Sequence, residues 1–266
     1  MDLPSSFMYE YEQSFYPRDT GGKTRYIWIR PKKDDPVGLI LFSHGMGFDA
    51  VYPHLNFFKK ALEDGYQIFS YDLDGHGIKS NTYLDANTLL HCLQDAITFV
   101  IQRTSLPITL AGMSLGARLS FNILMQSPHP QIIQASLLAM PLYRPSYIQA
   151  LCYESLTLFS RSFHSQWHEY GLRSIPAFGP FGRDDFPVRT NGTNYVVETL
   201  KYIDSHNPIE QAKKYPTSIP IILKYGRWDG IAPVSQGLQL HHALPYSSFQ
   251  MIHATHLSFP AKASLC

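Results

Sequence analysis

The chain has 266 residues, 44% of them hydrophobic, and a formal net charge of +1 at pH 7, which suits a single domain over 1–266. This charge balance excludes the basic surface of a nucleic-acid-binding protein and the acidic tail of a charge-driven module. Three scattered cysteines, no secretion signal and no membrane-length apolar run predict a cytoplasmic protein without a disulfide framework or a transmembrane segment.

The first predicted element is an antiparallel hairpin. The segments "FMYEYEQSFY" and "TRYIWIRP" flank the turn-like "DTGG". Nearly continuous apolar runs then predict the inner strands of a parallel sheet, because both faces of such a sheet are covered. These strands lie at 37–43, 66–72, 107–113, 132–140, 219–225 and, last, 248–252.

Helical spacing fills the gaps between these strands. Leu89, Leu93, Ala96 and Val100 form one apolar face, and a second helix follows residue 114. Alternating strands and helices predict an α/β fold, with a mostly parallel central sheet, flanking helices and right-handed crossovers. Residues 141–190 interrupt the alternation with aromatics and prolines and no strand-like run, so we expect a cap inserted there.

The stretch "GMSLG" at 112–116 places a serine where a strand ends and a helix begins. In that position it predicts a nucleophile elbow, in which Ser114 takes a strained backbone conformation and Gly112 and Gly116 let strand and helix approach closely. The alternative is an ordinary helix start flanked by glycines. The strand before it and the helix after it favour the nucleophile.

A serine nucleophile needs a base and an acid that orients the base. In a parallel sheet both are expected after the carboxyl ends of later strands, where the sequence offers Asp229, His253 and His256. We prefer His256, because His253 directly follows the last strand and is expected to be held in its ladder. The alternative for Asp229 is a helix N-cap before "APVSQ".

The stretch "SHGMG" after the first inner strand predicts an oxyanion hole. Gly45 and Gly47 would expose the backbone N–H of Met46, while Leu115 supplies a second N–H. We interpret His44 as a structural partner of this loop.

Together "SHGMG", "YDLDGHGIKS", "GMSLG", "GRWDGIAP" and "HATHL" make the chain resemble the α/β-hydrolases, and most of all the monoacylglycerol lipase-like and serine aminopeptidase-like enzymes. The resemblance implies a catalytic triad of Ser114, Asp229 and His256, with oxyanion N–H groups from Met46 and Leu115. It implies no cofactor and no metal.

The stretch "DLDGHG" at 72–77 departs from the family, which usually has arginine where Asp74 stands. We interpret Asp72 and His76 as residues that brace this turn, not as metal ligands.

The expected substrate is a small-molecule acyl ester. Five apolar residues of the mid-chain segment share a helical face and either line an acyl site or pack on the core: Leu156, Phe159, Phe163, Trp167 and Tyr170. The absence of a basic cluster favours a medium-chain ester or a monoacylglycerol over an acyl-CoA.

Three alternatives remain open. An aminopeptidase would need an acidic pair to hold the substrate amine, and Asp184 and Asp185 could serve. An acyl-thioesterase could use the same triad. The non-enzymatic alternative is an inactive hydrolase fold that acts as a binding protein.

Overall fold

The computed structural model describes residues 9–19, 21–32, 35–50, 55–76, 83–126, 128–153, 194–214 and 218–263. Within them one sheet has eight strands in the order β1-β2-β4-β3-β5-β6-β7-β8. The strands are β1 (Tyr9–Pro17), β2 (Lys23–Pro31), β3 (Gly38–Ser43), β4 (Tyr66–Tyr71), β5 (Ile108–Met113), β6 (Ile132–Leu138), β7 (Ile221–Gly226) and β8 (Ser247–Ile252). The helices are α1 (Leu55–Glu63), α2 (Leu89–Ile101), α3 (Leu115–Gln126), α4 (Asn194–Asp204), α5 (Pro208–Lys214), α6 (Val234–Ala243) and α7 (Phe259–Lys262), and residues 147–153 are also helical.

The predicted hairpin is confirmed. β1 and β2 pair antiparallel along their whole length, and Gly21 and Gly22 between them have φ angles of 90° and 83°. Such left-handed backbone suits glycine, which lacks the Cβ atom that makes it costly for other residues. β2 then pairs antiparallel with β4, which joins the hairpin to the main sheet.

The other strand pairs, from β4 through β3 to β8, are parallel, and the predicted mostly parallel sheet flanked by helices is confirmed. Every residue of β3 and β5 is buried, as the continuous apolar runs indicated. α3 packs across β3, β5 and β6 at the centre of this sheet. Parallel strands end at one edge, so the loops after β3, β5, β7 and β8 meet there.

Residues 141–153, the first part of the predicted cap, leave the end of β6, and the rest of the predicted cap lies outside the described residues. Among the residues that the structure describes, no helix combines the length and the apolar character needed to cross a membrane.

Candidate active site

The turn between β5 and α3 has the strained geometry of an elbow. Ser114 has a φ angle of 53°, a left-handed conformation that is uncommon for residues other than glycine. Its N–H donates to the carbonyl of Leu138 at 2.8 Å. A Cβ atom at Gly112 would lie 2.4 Å from the backbone of Gly116, and one at Gly116 would lie 2.0 Å from the carbonyl oxygen of Ser43. Both glycines are therefore required for the close approach of α3 to the sheet.

Ser114, His256 and Asp229 form a hydrogen-bonded series, although 142 residues separate the serine from the histidine. His256 Nε2 lies 3.0 Å from Ser114 Oγ, and His256 Nδ1 lies 2.6 Å from Asp229 Oδ2. A carboxylate only accepts, so Nδ1–H donates to Asp229 and the Nε2 lone pair faces the serine hydroxyl. All three side chains are buried.

The two carboxylate oxygens of Asp229 have different partners. Oδ2 faces His256, whereas Oδ1 accepts from the N–H groups of Ile231 and Ala232, both at 2.8 Å. The alternative role for Asp229, a helix N-cap, is wrong: α6 begins at Val234 with Pro233 as its N-cap, and the N–H groups that Asp229 binds lie in the turn before that helix. Tyr225 lies nearby, and burial, followed by the charge of Asp229, raises the pKa of its hydroxyl.

The loop after β3 brings a second set of backbone donors to the serine. A Cβ atom at Gly45 would lie 3.3 Å from the Cβ of Ser114, and Gly47 has a φ angle of 77°. Within the described part of the chain, the N–H groups of Met46 and Leu115 donate no hydrogen bond, and both residues line the pocket beside Ser114. These two N–H groups can therefore donate hydrogen bonds to a negatively charged oxygen in the pocket.

Two histidines connect this loop to the turn after β4. His44 Nδ1 donates to the carbonyl of Gly45 at 2.7 Å, and its Nε2 accepts from the N–H of Leu73 at 2.9 Å. In return, His76 Nε2 accepts from the N–H of Gly47 at 3.1 Å. The predicted structural role of His44 and bracing role of His76 are thus confirmed by their contacts.

Asp72 also braces the turn, through a buried ion pair. Its carboxylate accepts from Arg25 Nε at 2.7 Å and Nη2 at 2.9 Å, and from the N–H of Ala50 at 2.8 Å. A two-point guanidinium–carboxylate contact of this kind fixes direction as well as distance.

Asp74, the departure from the family pattern, has a cationic partner that sequence reasoning missed. Arg18, next to the end of β1, is buried and donates to the carboxylates of Asp74 and Asp95. Arg18 and Asp74 are 56 positions apart, so no local pattern could have paired them.

A pocket opens beside the serine. Its lining residues come from the elbow and the loop after β3, from residues 141–153, and from α4 and the loop after β7: Met46, Ser114, Leu115, Pro141, Pro145, Ala150, Tyr153, Thr199, Leu200, Ile203 and Ile231. None of these side chains is charged. The Tyr153 ring also meets the imidazole of His256 edge-on, with 4.8 Å between ring centroids.

Sequence analysis did not identify the contributions of Tyr153, Thr199 and Ile203. The apolar spacing of α4 indicates that one of its faces is buried, but it does not say what that face covers. The proposed acyl-site residues Phe159, Phe163 and Trp167 lie outside the described residues, as do Asp184 and Asp185.

His253 is not brought to the serine. β8 ends at Ile252, and His253 is exposed, with its ring 5.4 Å from that of Trp228. Its expected place in the strand ladder is therefore wrong, although the preference for His256 agrees with the geometry. Among the described side chains, no three His, Cys, Asp or Glu residues are grouped as metal ligands.

The chain is similar to several hydrolases. A Mycoplasma pneumoniae protein assigned as an esterase/lipase is 26% identical over 127 residues, which are 47% of this chain and 46% of that relative, so the match spans about half its length. Among solved structures, an esterase from Exiguobacterium antarcticum has a TM-score of 0.66 at 14% identity, covering 93% of this chain and 94% of that one. The enol-lactonase from Burkholderia xenovorans has a TM-score of 0.65 at 17% identity, covering 92% and 93%.

These structural neighbours share the fold. The model of the family described as serine aminopeptidase, S33, matches residues 34–256, a range that includes all three residues of the Ser114–His256–Asp229 series. The protein therefore belongs to the serine aminopeptidase S33 family of α/β-hydrolases.

Proposed function

We propose that the protein is a serine hydrolase that cleaves carboxylic esters without charged groups, such as medium-chain acyl esters or monoacylglycerols. The observation that carries this proposal is the buried series Asp229–His256–Ser114, with both of its hydrogen bonds at 3.0 Å or less. A serine hydroxyl at its ordinary pKa is a weak nucleophile, and an adjacent oriented imidazole is what activates it.

In the proposed reaction, Ser114 Oγ attacks the ester carbonyl carbon while its proton passes to His256 Nε2. Asp229 stabilises the resulting imidazolium through Nδ1. The N–H groups of Met46 and Leu115 donate hydrogen bonds to the former carbonyl oxygen, which carries the negative charge. As the carbon–oxygen bond breaks, His256 returns the proton to the leaving alkoxide, and an acyl group remains on Ser114. Water then attacks the acyl carbon while His256 takes its proton, and His256 returns that proton to Ser114 Oγ as the acid leaves.

The pocket supports an uncharged substrate. Its described lining has no lysine or arginine to hold a phosphate, and no carboxylate to hold the amine of a peptide substrate. This lining favours an ester over an aminoacyl amide, even though the family is described by its aminopeptidases. The names of the relatives, an esterase/lipase and an enol-lactonase, agree with acyl–oxygen cleavage. We further propose a reducing, cytoplasmic location, which the free thiols of Cys92 and Cys152 support.

The test uses a single atom change in the elbow. Ser114→Ala is expected to abolish labelling by a fluorophosphonate probe and to lower kcat/KM for p-nitrophenyl butyrate by at least about 1000-fold, with an unchanged melting temperature. The wild type is measured in parallel on an acyl thioester and an aminoacyl amide. A folded Ser114→Ala protein with substantial esterase activity would refute the nucleophile, and a wild type that cleaves the amide better than the ester would make it an aminopeptidase.

A further inference from the structure

The pocket beside Ser114 contains one polar side chain of α4 that has no hydrogen-bond partner among the described residues. Thr199 is 2% exposed, and its Oγ1 has no hydrogen-bond partner in the described part of the chain. A threonine inside a helix usually bonds to the carbonyl of the preceding turn, and Thr199 does not. Thr199 lies instead in the pocket lining, with Leu200 and Ile203 of the same helix.

A buried hydroxyl without a partner is unfavourable, whereas a methyl group of the same shape carries no such penalty. The rest of the lining is apolar apart from Ser114 and the phenol of Tyr153. A ligand atom that enters the pocket can therefore form the hydrogen bond that the Thr199 hydroxyl lacks within the described residues.

Hydrogen bonds between α4 and α3, the helix that follows Ser114, fix the position of Thr199. Arg118 on α3 donates to the carbonyls of Ile203 and His206 at the carboxyl end of α4. Asn122 Nδ2 donates to the hydroxyl of Tyr202 at 2.7 Å. Cations and donors at this end of a helix satisfy its last carbonyls, so the wall that carries Thr199 is anchored to the same helix that follows the nucleophile.

We propose that the Thr199 hydroxyl determines specificity by hydrogen bonding to an oxygen substituent of the substrate outside the scissile ester group. This inference rests on the proposed function and narrows its substrate class to esters that carry a further hydroxyl or ether oxygen. That oxygen belongs either to the acyl chain or to the alcohol, as in a glycerol ester.

The experiment compares matched ester pairs on the full-length wild type, Thr199→Val and Thr199→Ser. The acyl pair is p-nitrophenyl methoxyacetate and p-nitrophenyl butyrate, in which an ether oxygen replaces a methylene. The alcohol pair is glycerol monobutyrate and propyl butyrate. The readout is kcat/KM for the ester with the extra oxygen divided by kcat/KM for its partner, that is, methoxyacetate over butyrate and glycerol ester over propyl ester. The intrinsic reactivity of the esters cancels when this ratio is compared between the wild type and a variant.

Thr199→Val is expected to lower this ratio about tenfold in one pair, which then identifies the side that carries the oxygen. Thr199→Ser keeps the hydroxyl and is expected to retain the wild-type ratio within about twofold. Ser136→Ala is the matched control, since Ser136 also has a buried hydroxyl without a partner in the described chain but does not line the pocket. It is expected to leave both ratios unchanged.

Stability separates this role from a structural one. Thr199→Val is expected to unfold at the wild-type temperature or slightly above it, because it removes an unsatisfied hydroxyl. A melting temperature several degrees lower, ratios unchanged in both pairs, or an equal loss on all four esters would each overturn the inference while leaving the proposed function standing. A wild type that cleaves none of the esters would overturn the proposed function and this inference with it.

Discussion

A single methyl group at position 116 is expected to disable the elbow. The Cβ of Gly116→Ala would lie 2.0 Å from the carbonyl oxygen of Ser43, and 3.0 Å is the lower limit for such contacts. The obstacle is the backbone at the end of β3, which cannot rotate away as a side chain can. α3 must therefore move from the sheet by about 1 Å.

That displacement acts directly on the reacting atoms. α3 begins immediately after Ser114, whose Oγ is 3.0 Å from His256 Nε2, so a shift of this size breaks the hydrogen bond. A misplacement of about 1 Å costs roughly 100-fold in rate, or about 2.7 kcal/mol. Overpacking of the core adds a loss of about 1–3 kcal/mol in unfolding free energy, which corresponds to roughly 2–4 °C of melting temperature per kcal/mol.

The assay measures kcat/KM for p-nitrophenyl butyrate and the thermal unfolding of Gly116→Ala. Gly230→Ala is its matched control, because a Cβ at Gly230 meets nothing within 4 Å and the residue directly follows Asp229. The control is expected to keep wild-type activity and a free energy of unfolding within about 0.5 kcal/mol of the wild type. Wild-type activity and melting temperature in Gly116→Ala would refute the argument from close approach.

The other predictions concern the base, the acid and the turn after β4. His256→Ala is expected to be nearly as damaging to ester hydrolysis as loss of the serine, whereas His253→Ala is mild because His253 is exposed and away from Ser114; the reverse order of kcat values would contradict the assigned base. Asp229→Asn is expected to fall between them, because the amide oxygen keeps the two backbone N–H bonds and an NH2 group then faces His256 Nδ1, which disfavours the tautomer that accepts the serine proton; an unchanged kcat would remove Asp229 from the series. Asp72→Asn leaves the buried Arg25 guanidinium without its two-point carboxylate, so denaturant unfolding is expected to show a loss of about 3–5 kcal/mol; a loss below about 1 kcal/mol would show that the pair is dispensable.

The sheet was predictable because its strands carry a local signature. A strand covered on both faces must be apolar at every position, and 38–43 and 108–113 are buried throughout. The elbow was predictable for a related reason. Gly112 and Gly116 flank one serine at a strand-to-helix junction, and each is needed because a Cβ there would strike backbone.

The pocket lining and the Arg18–Asp74 ion pair could not be predicted, because each depends on contacts between residues that are far apart in the sequence. The buried face of α4 follows from its apolar spacing, yet nothing in that spacing indicates that Thr199 lines the pocket beside Ser114. Arg18 and Asp74 meet because β2 pairs with β4, which places the hairpin beside the turn after β4. The last strand ends at Ile252 as predicted, but His253 does not continue its ladder, because the chain turns there and the N–H of Ala254 donates back to the carbonyl of Ile252 at 2.8 Å.

The pocket wall and the Ser114–His256–Asp229 series come from different segments of the chain, which has a consequence for engineering. Most of the pocket wall comes from residues 141–153 and from α4, between β6 and β7, whereas Ser114, Asp229 and His256 lie on loops at the ends of other strands. Under the proposed function, the residues that bind the substrate and the residues that react with it would therefore lie in separate stretches of the sequence. A combinatorial library confined to residues 141–153 and α4 can test new substrates without changing Ser114, Asp229 or His256. Arg118 and Asn122 must stay fixed, because their hydrogen bonds attach α4 to α3.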